Sequence, residues 1–368
     1  MRRVIYLDTM ATTQGYPVVV KEMQKYLTKE YGNPSSPHAL GEKAFEAMTA
    51  ARKALAAEIG VKAHEIIFTS GGTEANNLAL RGIMQSAKKK KLIISAIEHS
   101  SVWEVAQEMK KEGFIISLIC VDKYGVLDMK LLEKSIDENT GLVSIIHGNN
   151  EIGVLQDIKK IGEICRQKGV LFHTDAVQSF GKIPIRAKEW GVDALSASAH
   201  KIGGPKGIGF LYLREGIEIE PLIIGGGQER GMRGGTENLP AIMGFAKALE
   251  IAKKADNEKM HNIRNYFITN IEKIGGKING DKEKRLWNNL NVSFVGINAE
   301  GLVIALSQKG VMCSTRSACL SKQHKENRVL MALGMSEKEI NSTLRFGLSE
   351  DIGKREIDYV IKVLKQLL

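Results

Sequence analysis

Val170-Leu171-Phe172-His173-Thr174-Asp175 is a short apolar run that ends on a carboxylate, and Ala194-Leu195-Ser196-Ala197-Ser198-Ala199-His200-Lys201 is a second that ends on a lysine. Short runs of apolar and small residues fit strands buried on both faces. Outward from this pair, the chain between about 64 and 215 alternates between strand-like and helix-like segments. Strands are expected at 65–69, 92–97, 114–121, 142–147, 170–174, 194–197 and 208–213, and helices at 73–84, 101–111, 129–136 and 158–168. That alternation predicts an α/β fold with a mostly parallel sheet. Ligands of such sheets sit beyond the carboxyl ends of the strands, and Asp175 and Lys201 fall at or just after two such ends.

Beyond this region, 240–275 reads as helical. Residues 288–368 form a second block, with a strand at 289–295, a helix at 300–309, a strand near Val311 and a closing helix at 354–368. A boundary is expected within 240–275, where the composition shifts near Gly275-Gly276-Lys277. The 368 residues, 43% of them hydrophobic, are enough for one large and one smaller core.

The formal net charge of +10 fits an anionic ligand, an acidic partner or nucleic acid. Its dense run, Lys88-Lys89-Lys90-Lys91, lies between a helix and a strand and reads as a solvated turn. The sequence has no arginine-rich helix and no basic patch interleaved with aromatics, which argues against sequence-specific nucleic-acid binding. The four cysteines, Cys120, Cys165, Cys313 and Cys319, include no CxxC pair and no zinc spacing, as expected of a reduced, cytoplasmic protein. Met1-Arg2-Arg3-Val4-Ile5-Tyr6-Leu7-Asp8 meets an acid too early for a secretory leader, and no apolar run approaches a membrane span.

An aspartate at one strand end and a lysine after the next are what pyridoxal phosphate (PLP) requires. The lysine forms a Schiff base with the cofactor, and the aspartate keeps the pyridine nitrogen protonated so that the ring acts as an electron sink. Thr69-Ser70-Gly71-Gly72-Thr73-Glu74-Ala75-Asn76-Asn77 reads as strand, glycine turn and helix start. Its unpaired N–H groups suit a phosphate, although alone it also reads as a well-capped helix. Ser198 and His200 add donors beside Lys201. Glu98-His99 follows the strand at 92–97, where a histidine can stack on a ring and carry protons, or be merely structural. Asn149-Asn150-Glu151-Ile152-Gly153 ends another strand with amides. The glycine-rich segment 225–238 holds Arg230 and Arg233, with no helix expected, and suits an anion. Arg345, between Leu344 and Phe346, reads as half-buried with a carboxylate partner, structural or substrate. Cys319 sits among small polar residues, with Arg316 and Lys322 nearby to favour a thiolate, and is expected on an accessible loop. Cys120 and Cys165 read as inert packing residues. Cys313 is ambiguous, and a disulfide with Cys319 stays open.

In this order, these motifs resemble the cysteine desulfurases, PLP enzymes of fold type I in the class V aminotransferase branch. The resemblance runs from Tyr6-Leu7-Asp8 to the C-terminal helix and includes Gly32-Asn33-Pro34-Ser35-Ser36 with His38, and His173-Thr174-Asp175-Ala176-Val177-Gln178. It implies a large PLP-binding domain (15–255) with a mostly parallel seven-stranded sheet flanked by helices. It also implies a smaller α+β domain (1–14 and 256–368) that carries the cysteine loop. Lys201 would hold PLP and later move the Cα proton, Asp175 would pair with the pyridine nitrogen and Gln178 with the ring oxygen. His99 would stack on the ring as acid/base, and Gly72, Thr73, Ser198 and His200 would bind the phosphate. Thr236 would reach the phosphate from the other subunit of a homodimer. Asn150 and Arg345 would hold the carboxylate of L-cysteine. Cys319 would take its sulfur as a persulfide, leaving alanine, and pass it to an iron–sulfur scaffold protein or another acceptor such as the tRNA-thiolation machinery. No resident metal is implied, although Cys319 could transiently ligate a cluster. The long connection from Cys319 to Ala332-Leu333-Gly334 resembles the branch that supplies iron–sulfur scaffolds.

Three other readings stay open at this level: a selenocysteine or cystine lyase that does not need Cys319, a PLP-free scaffold that uses Cys319 as a sulfur carrier or ligand, and a basic nucleic-acid-binding protein. Asp175 and Lys201 together argue against the second.

Overall fold

The computed structural model describes residues 4–315 and 327–368. Seven strands form the central sheet in the spatial order Ile66–Thr69, Gly209–Leu213, Ala194–Ser198, Leu171–Asp175, Thr140–Ser144, Lys91–Ser95 and Ile115–Ile119. Gly209–Leu213 runs antiparallel to both of its neighbours, and the remaining pairs are parallel. Four of these strands, Ile66–Thr69, Thr140–Ser144, Ala194–Ser198 and Gly209–Leu213, are buried along their whole length, and Leu171–Asp175 and Lys91–Ser95 are buried after their first residue. This explains why apolar runs rather than alternating ones mark them. The expected strand at 142–147 pairs two residues earlier, as Thr140–Ser144; Ile145 and Ile146 stay buried and lead the chain out towards the sheet edge.

Two helices that the sequence pattern does not announce, Pro17–Thr28 and Ala39–Glu58, pack on Leu239–Ala252 and close one face of the sheet. Gly244 makes that contact close: a Cβ there would stand 2.7 Å from Met23 Cγ. The helical stretch expected at 240–275 is two helices, Leu239–Ala252 and Asn257–Glu272, the second capped by Asp256 on Lys259 N. The expected helix at 73–84 runs as Gly72–Asn77, a π-helical turn Leu78–Gly82, and Ile83–Ser86.

A second core gathers around the antiparallel sheet Thr343–Gly347, Asn289–Ser293 and Lys277–Ile278. Asn257–Glu272, Ala299–Gln308 and Lys354–Leu367 bury their apolar faces on it, with Phe267 edge-on to Phe346. The N-terminal strand Ile5–Tyr6 pairs with Val311–Met312 and adds Ile5 and Leu7 to this second core.

The glycine-rich segment 225–238 carries a short 3-10 helix, Gln228–Gly231, where none was expected. Glu229 and Arg230 adopt positive φ there, 46° and 60°. Buried Glu229 holds this geometry. It accepts two 2.6 Å bonds from Arg52 and one of 2.9 Å from Phe68 N, while Arg52 lies over the Phe68 ring. Glu229→Ala strands a nearly buried guanidinium. It is expected to cost about 3–5 kcal/mol in urea unfolding, and a loss below about 1 kcal/mol would show that the pair acts as a surface one.

Candidate active site

The site forms where the carboxyl ends of the parallel strands converge. Leu171–Asp175 and Ala194–Ser198 are adjacent and parallel, with Asp175 opposite Ser196. A 3-10 turn, Ala199–Lys201, then carries the lysine back over the sheet edge. Ile66–Thr69 delivers the Gly71-Gly72-Thr73 turn, Lys91–Ser95 leads to His99, and Thr140–Ser144 leads to Asn150. Gly71 has a φ of 152°, which side chains rarely allow, and a Cβ on Gly72 would meet Val177 Cγ2 at 2.5 Å. Glycine is required at both positions of the turn.

A cavity of about 250 Å³ is lined by Gly72, Thr73, His99, Asn150, Asp175, Gln178, Ser198, His200, Lys201 and Arg345. These are the expected site residues except Thr236 and Cys319. Thr236 is exposed and does not line the cavity. Cys319 lies outside the described residues, as do Arg316 and Lys322.

Lys201 is buried and its Nζ donates to the carbonyls of Met10 (2.6 Å) and Ala11 (2.8 Å). Buried Asp175 accepts from Asn76 Nδ2 at 2.8 Å and from Val177 N at 2.9 Å, both neutral donors. Gln178 Nε2 donates to Met10 O. His200 Nδ1 lies 3.1 Å from Thr12 Oγ1; burial and then Lys201 push its pKa down to about 4, so it is neutral at physiological pH. Glu98 is fully buried, its pKa pushed up to about 8 by burial, and its Oε1 accepts from Ser95 Oγ and Ile146 N.

Arg345 is buried rather than half-buried, 2% exposed. Its carboxylate partner is Asp8, Nη2 to Oδ1 at 3.0 Å, and its Nη1 donates to Asn150 O at 3.2 Å. Asp8 carries no local signal of this role, because the contact joins the first and last parts of the chain. Nor were Asn76, Ser101 and Lys182 singled out. Lys182 is buried beside the site, and its Nζ donates to Gln178 O at 2.8 Å. Burial and then Lys201 lower its pKa to about 7.

Two expectations about charge and thiols are corrected. Arg233 is paired with Glu74, Nε to Oε1 at 2.9 Å, so one of the two arginines expected for an anion is engaged within the protein. Cys120 is exposed, not packed, because it follows Ile115–Ile119, an edge strand with only one buried residue. Cys165 is buried as expected. Cys313 is buried too, and burial pushes its thiol up to about 12.

The aminotransferase class-V family model matches residues 5–360. "Cysteine desulfurase IscS" of Clostridium botulinum (strain Hall) is 41% identical over 100% of this chain and 95% of its own length. "Cysteine desulfurase IscS 1" of Archaeoglobus fulgidus is 43% identical over 98% and 95%. The chain belongs to the cysteine desulfurases of the class-V aminotransferase family. Among solved structures similar to this desulfurase, a "NIFS-LIKE PROTEIN" superposes with a TM-score of 0.93 at 37% identity, covering 100% of this chain and 99% of its own. A structure titled "SspA in complex with cysteine" superposes with 0.85 at 35%, covering 93% and 98%.

The desulfurase cavity also fits the family's cofactor. Asn150 Oδ1, Asn76 Oδ1 and Arg345 Nε are buried and have no hydrogen-bond partner among the described residues, and all three side chains line the cavity. A buried polar atom left unpaired is costly unless a ligand meets it. A larger cleft of about 500 Å³ opens on the other side of Lys201, between Tyr16, Trp287 and Glu350, but Asp175, His99 and Arg345 do not line it.

Proposed function

We propose that this chain removes the sulfur of L-cysteine, leaving L-alanine and a persulfide on Cys319, with PLP held by Lys201. The observation that carries this reading is the convergence of Lys201, Asp175, His99 and Arg345 on one cavity. Bound PLP supplies an electron sink that labilises the Cα proton and the Cβ–S bond of a cysteine attached to it.

Lys201 Nζ holds the cofactor and, once displaced from it, moves the Cα proton. Asp175 carries the negative charge that keeps a pyridine nitrogen protonated, and Gln178 meets the ring oxygen. Gly72, Thr73, Ser198 and His200 provide phosphate donors, with Thr236 added by a second subunit. Arg345 and Asn150 take the substrate carboxylate; a planar guanidinium binds carboxylates in a fixed orientation. His99 exchanges protons at the substrate sulfur. Cys319 thiolate then forms an S–S bond to that sulfur as the Cβ–S bond breaks, and the electron pair left on carbon collects a proton to give alanine.

The flanks of residues 316–326 support the role of Cys319. Ser314 and Arg345 exchange backbone hydrogen bonds, and Asn327 Nδ2 donates to Glu151 Oε2 at 2.9 Å, beside Asn150. The division into 15–255 and 1–14 with 256–368 is supported by the separate clusters around Phe172 and Phe210 and around Phe267 and Phe346, although Val329, Leu330, Leu333 and Ile340 pack with Ile97 and Ile146. A homodimer is supported by the exposed apolar side chains of Val20, Leu27 and Phe45 on the helices Pro17–Thr28 and Ala39–Glu58, and of Ile223 and Ile224 before the glycine-rich segment. The acceptor is an iron–sulfur scaffold protein or another sulfur carrier, and the site of action the cytoplasm. Among the described residues, no helix is long and apolar enough to cross a membrane.

Purified protein supplied with PLP, L-cysteine and a reductant is expected to release sulfide and alanine in equal amounts. Sulfide with pyruvate would make it a lyase, and neither product would overturn the reading.

A further inference from the structure

A continuous chain of hydrogen bonds joins the two faces of this site, and its direction is determined. Asn76 Nδ2 donates both to Asp175 Oδ2 and to Ser101 Oγ, each at 2.8 Å. The amide cannot be turned over, because an ionised carboxylate only accepts and Asn76 Oδ1 would then face Asp175. Ser101 Oγ therefore accepts from Asn76, and its own hydrogen is available for His99 Nδ1 at 2.7 Å. Ser101 backbone N–H donates to the same ring nitrogen at 3.1 Å, with His99 as the N-cap of the helix Ser100–Lys111. A backbone N–H cannot reverse its role, and a helix N-terminus disfavours a positive ring. Asn76 is fully buried, and Asp175 and Ser101 nearly so.

We infer that Ser101 and Asn76 are positioning residues that fix His99 as the neutral tautomer, with Nδ1 bare and its one proton on Nε2, and tie that state to the ionised form of Asp175. Which ring atom exchanges protons is thereby set before substrate arrives: Nε2, the nitrogen that Ser101 leaves free. The inference deepens the proposed desulfurase reading and rests on it for the use of His99. The tautomer itself can be read without any reaction.

Burial is the largest influence on His99 and holds its pKa below the ordinary histidine value; among the described residues, Asp175 favours its protonation, and Lys201, Arg328 and Arg345 oppose it. Glu98, its chain neighbour, is largely protonated at neutral pH. A donor to a bare nitrogen stabilises the neutral ring, so removing the Ser101 hydroxyl raises the His99 pKa towards the ordinary histidine range.

The test is nitrogen NMR of the histidine-labelled holoenzyme. The chain has eight histidines, and the His99 signals are identified by their loss in His99→Gln. The wild type should show a bare Nδ1 and a protonated Nε2, unchanged as the pH is lowered to about 6. Ser101→Ala should let the ring take up a second proton over that range and lower kcat roughly 10-fold, with KM for L-cysteine changed less. Ser101→Thr, which keeps the hydroxyl, should restore both. A proton on Nδ1 in the wild type would overturn the inference. So would a Ser101→Ala ring that titrates like the wild type, or a kcat loss that Thr does not rescue. A wild type that shows the expected tautomer but does not act on L-cysteine would instead count against the proposed function alone.

Discussion

Lys201→Ala is expected to lower desulfuration of L-cysteine by at least ~10³-fold, within the range of a lost general base and compounded by loss of the covalent attachment point. Lys201→Arg is expected to fail as completely. Arginine keeps the positive charge beside Asp175 and can still donate towards the carbonyls of Met10 and Ala11, which the lysine Nζ now reaches. It cannot attach to the cofactor aldehyde, nor give up a proton near neutral pH. The pair of variants therefore separates the chemistry of the amine from its charge. Activity of Lys201→Arg above about a tenth of the wild type, with 1.4 kcal/mol per tenfold, would mean that a charge alone suffices and would contradict the assignment.

Cys319→Ser carries the second large effect: sulfide and alanine formation are expected to fall by more than ~10²-fold, because a serine hydroxyl is a far weaker nucleophile than a thiolate near neutral pH. Binding of L-cysteine should persist, since Arg345 and Asn150 are untouched, and is followed by the change in visible absorption when the substrate is added. The other cysteines supply the contrast. Burial pushes the thiols of Cys165 and Cys313 up to about 12, which leaves them almost wholly protonated at neutral pH. Cys120 is exposed but follows an edge strand and does not line the cavity. Serine at Cys120 or Cys165 should leave kcat within about twofold, the ordinary range for changes away from the chemistry. Loss of activity on replacing Cys120, with Cys319→Ser still active, would move the sulfur acceptor to the edge strand, outside the cavity.

The parallel sheet was legible because each buried strand leaves a short apolar run, and the strand ends at Asp175 and Ser198 could be located from where those runs stop. The helices Pro17–Thr28 and Ala39–Glu58 were not. Only Val19 and Tyr26 are buried in the first, and its Val18-Val19-Val20 run resembles a strand as much as a helix. In the second, alanines rather than large apolar residues form much of the buried face. The lysine, aspartate and histidine of the site declared themselves by position at strand ends. Their supports did not: Asp8 reaches Arg345 only once the chain termini meet, and Asn76 and Ser101 become partners only when two loop-to-helix transitions face each other across the sheet edge. Arg233 shows the reverse error, since a local pattern suited to an anion ligand is used instead on Glu74.

The central claim is that sulfur leaves L-cysteine onto Cys319. It is tested most directly by a single turnover of the PLP-loaded protein with L-cysteine and no reductant, quenched and read by peptide mass spectrometry with alanine counted in parallel. The account predicts one alanine for each site that gains a single sulfur atom on the Cys319 peptide, and no added sulfur on the peptides of Cys120, Cys165 or Cys313. Pyruvate in place of alanine, or alanine with the Cys319 peptide unmodified, would contradict it.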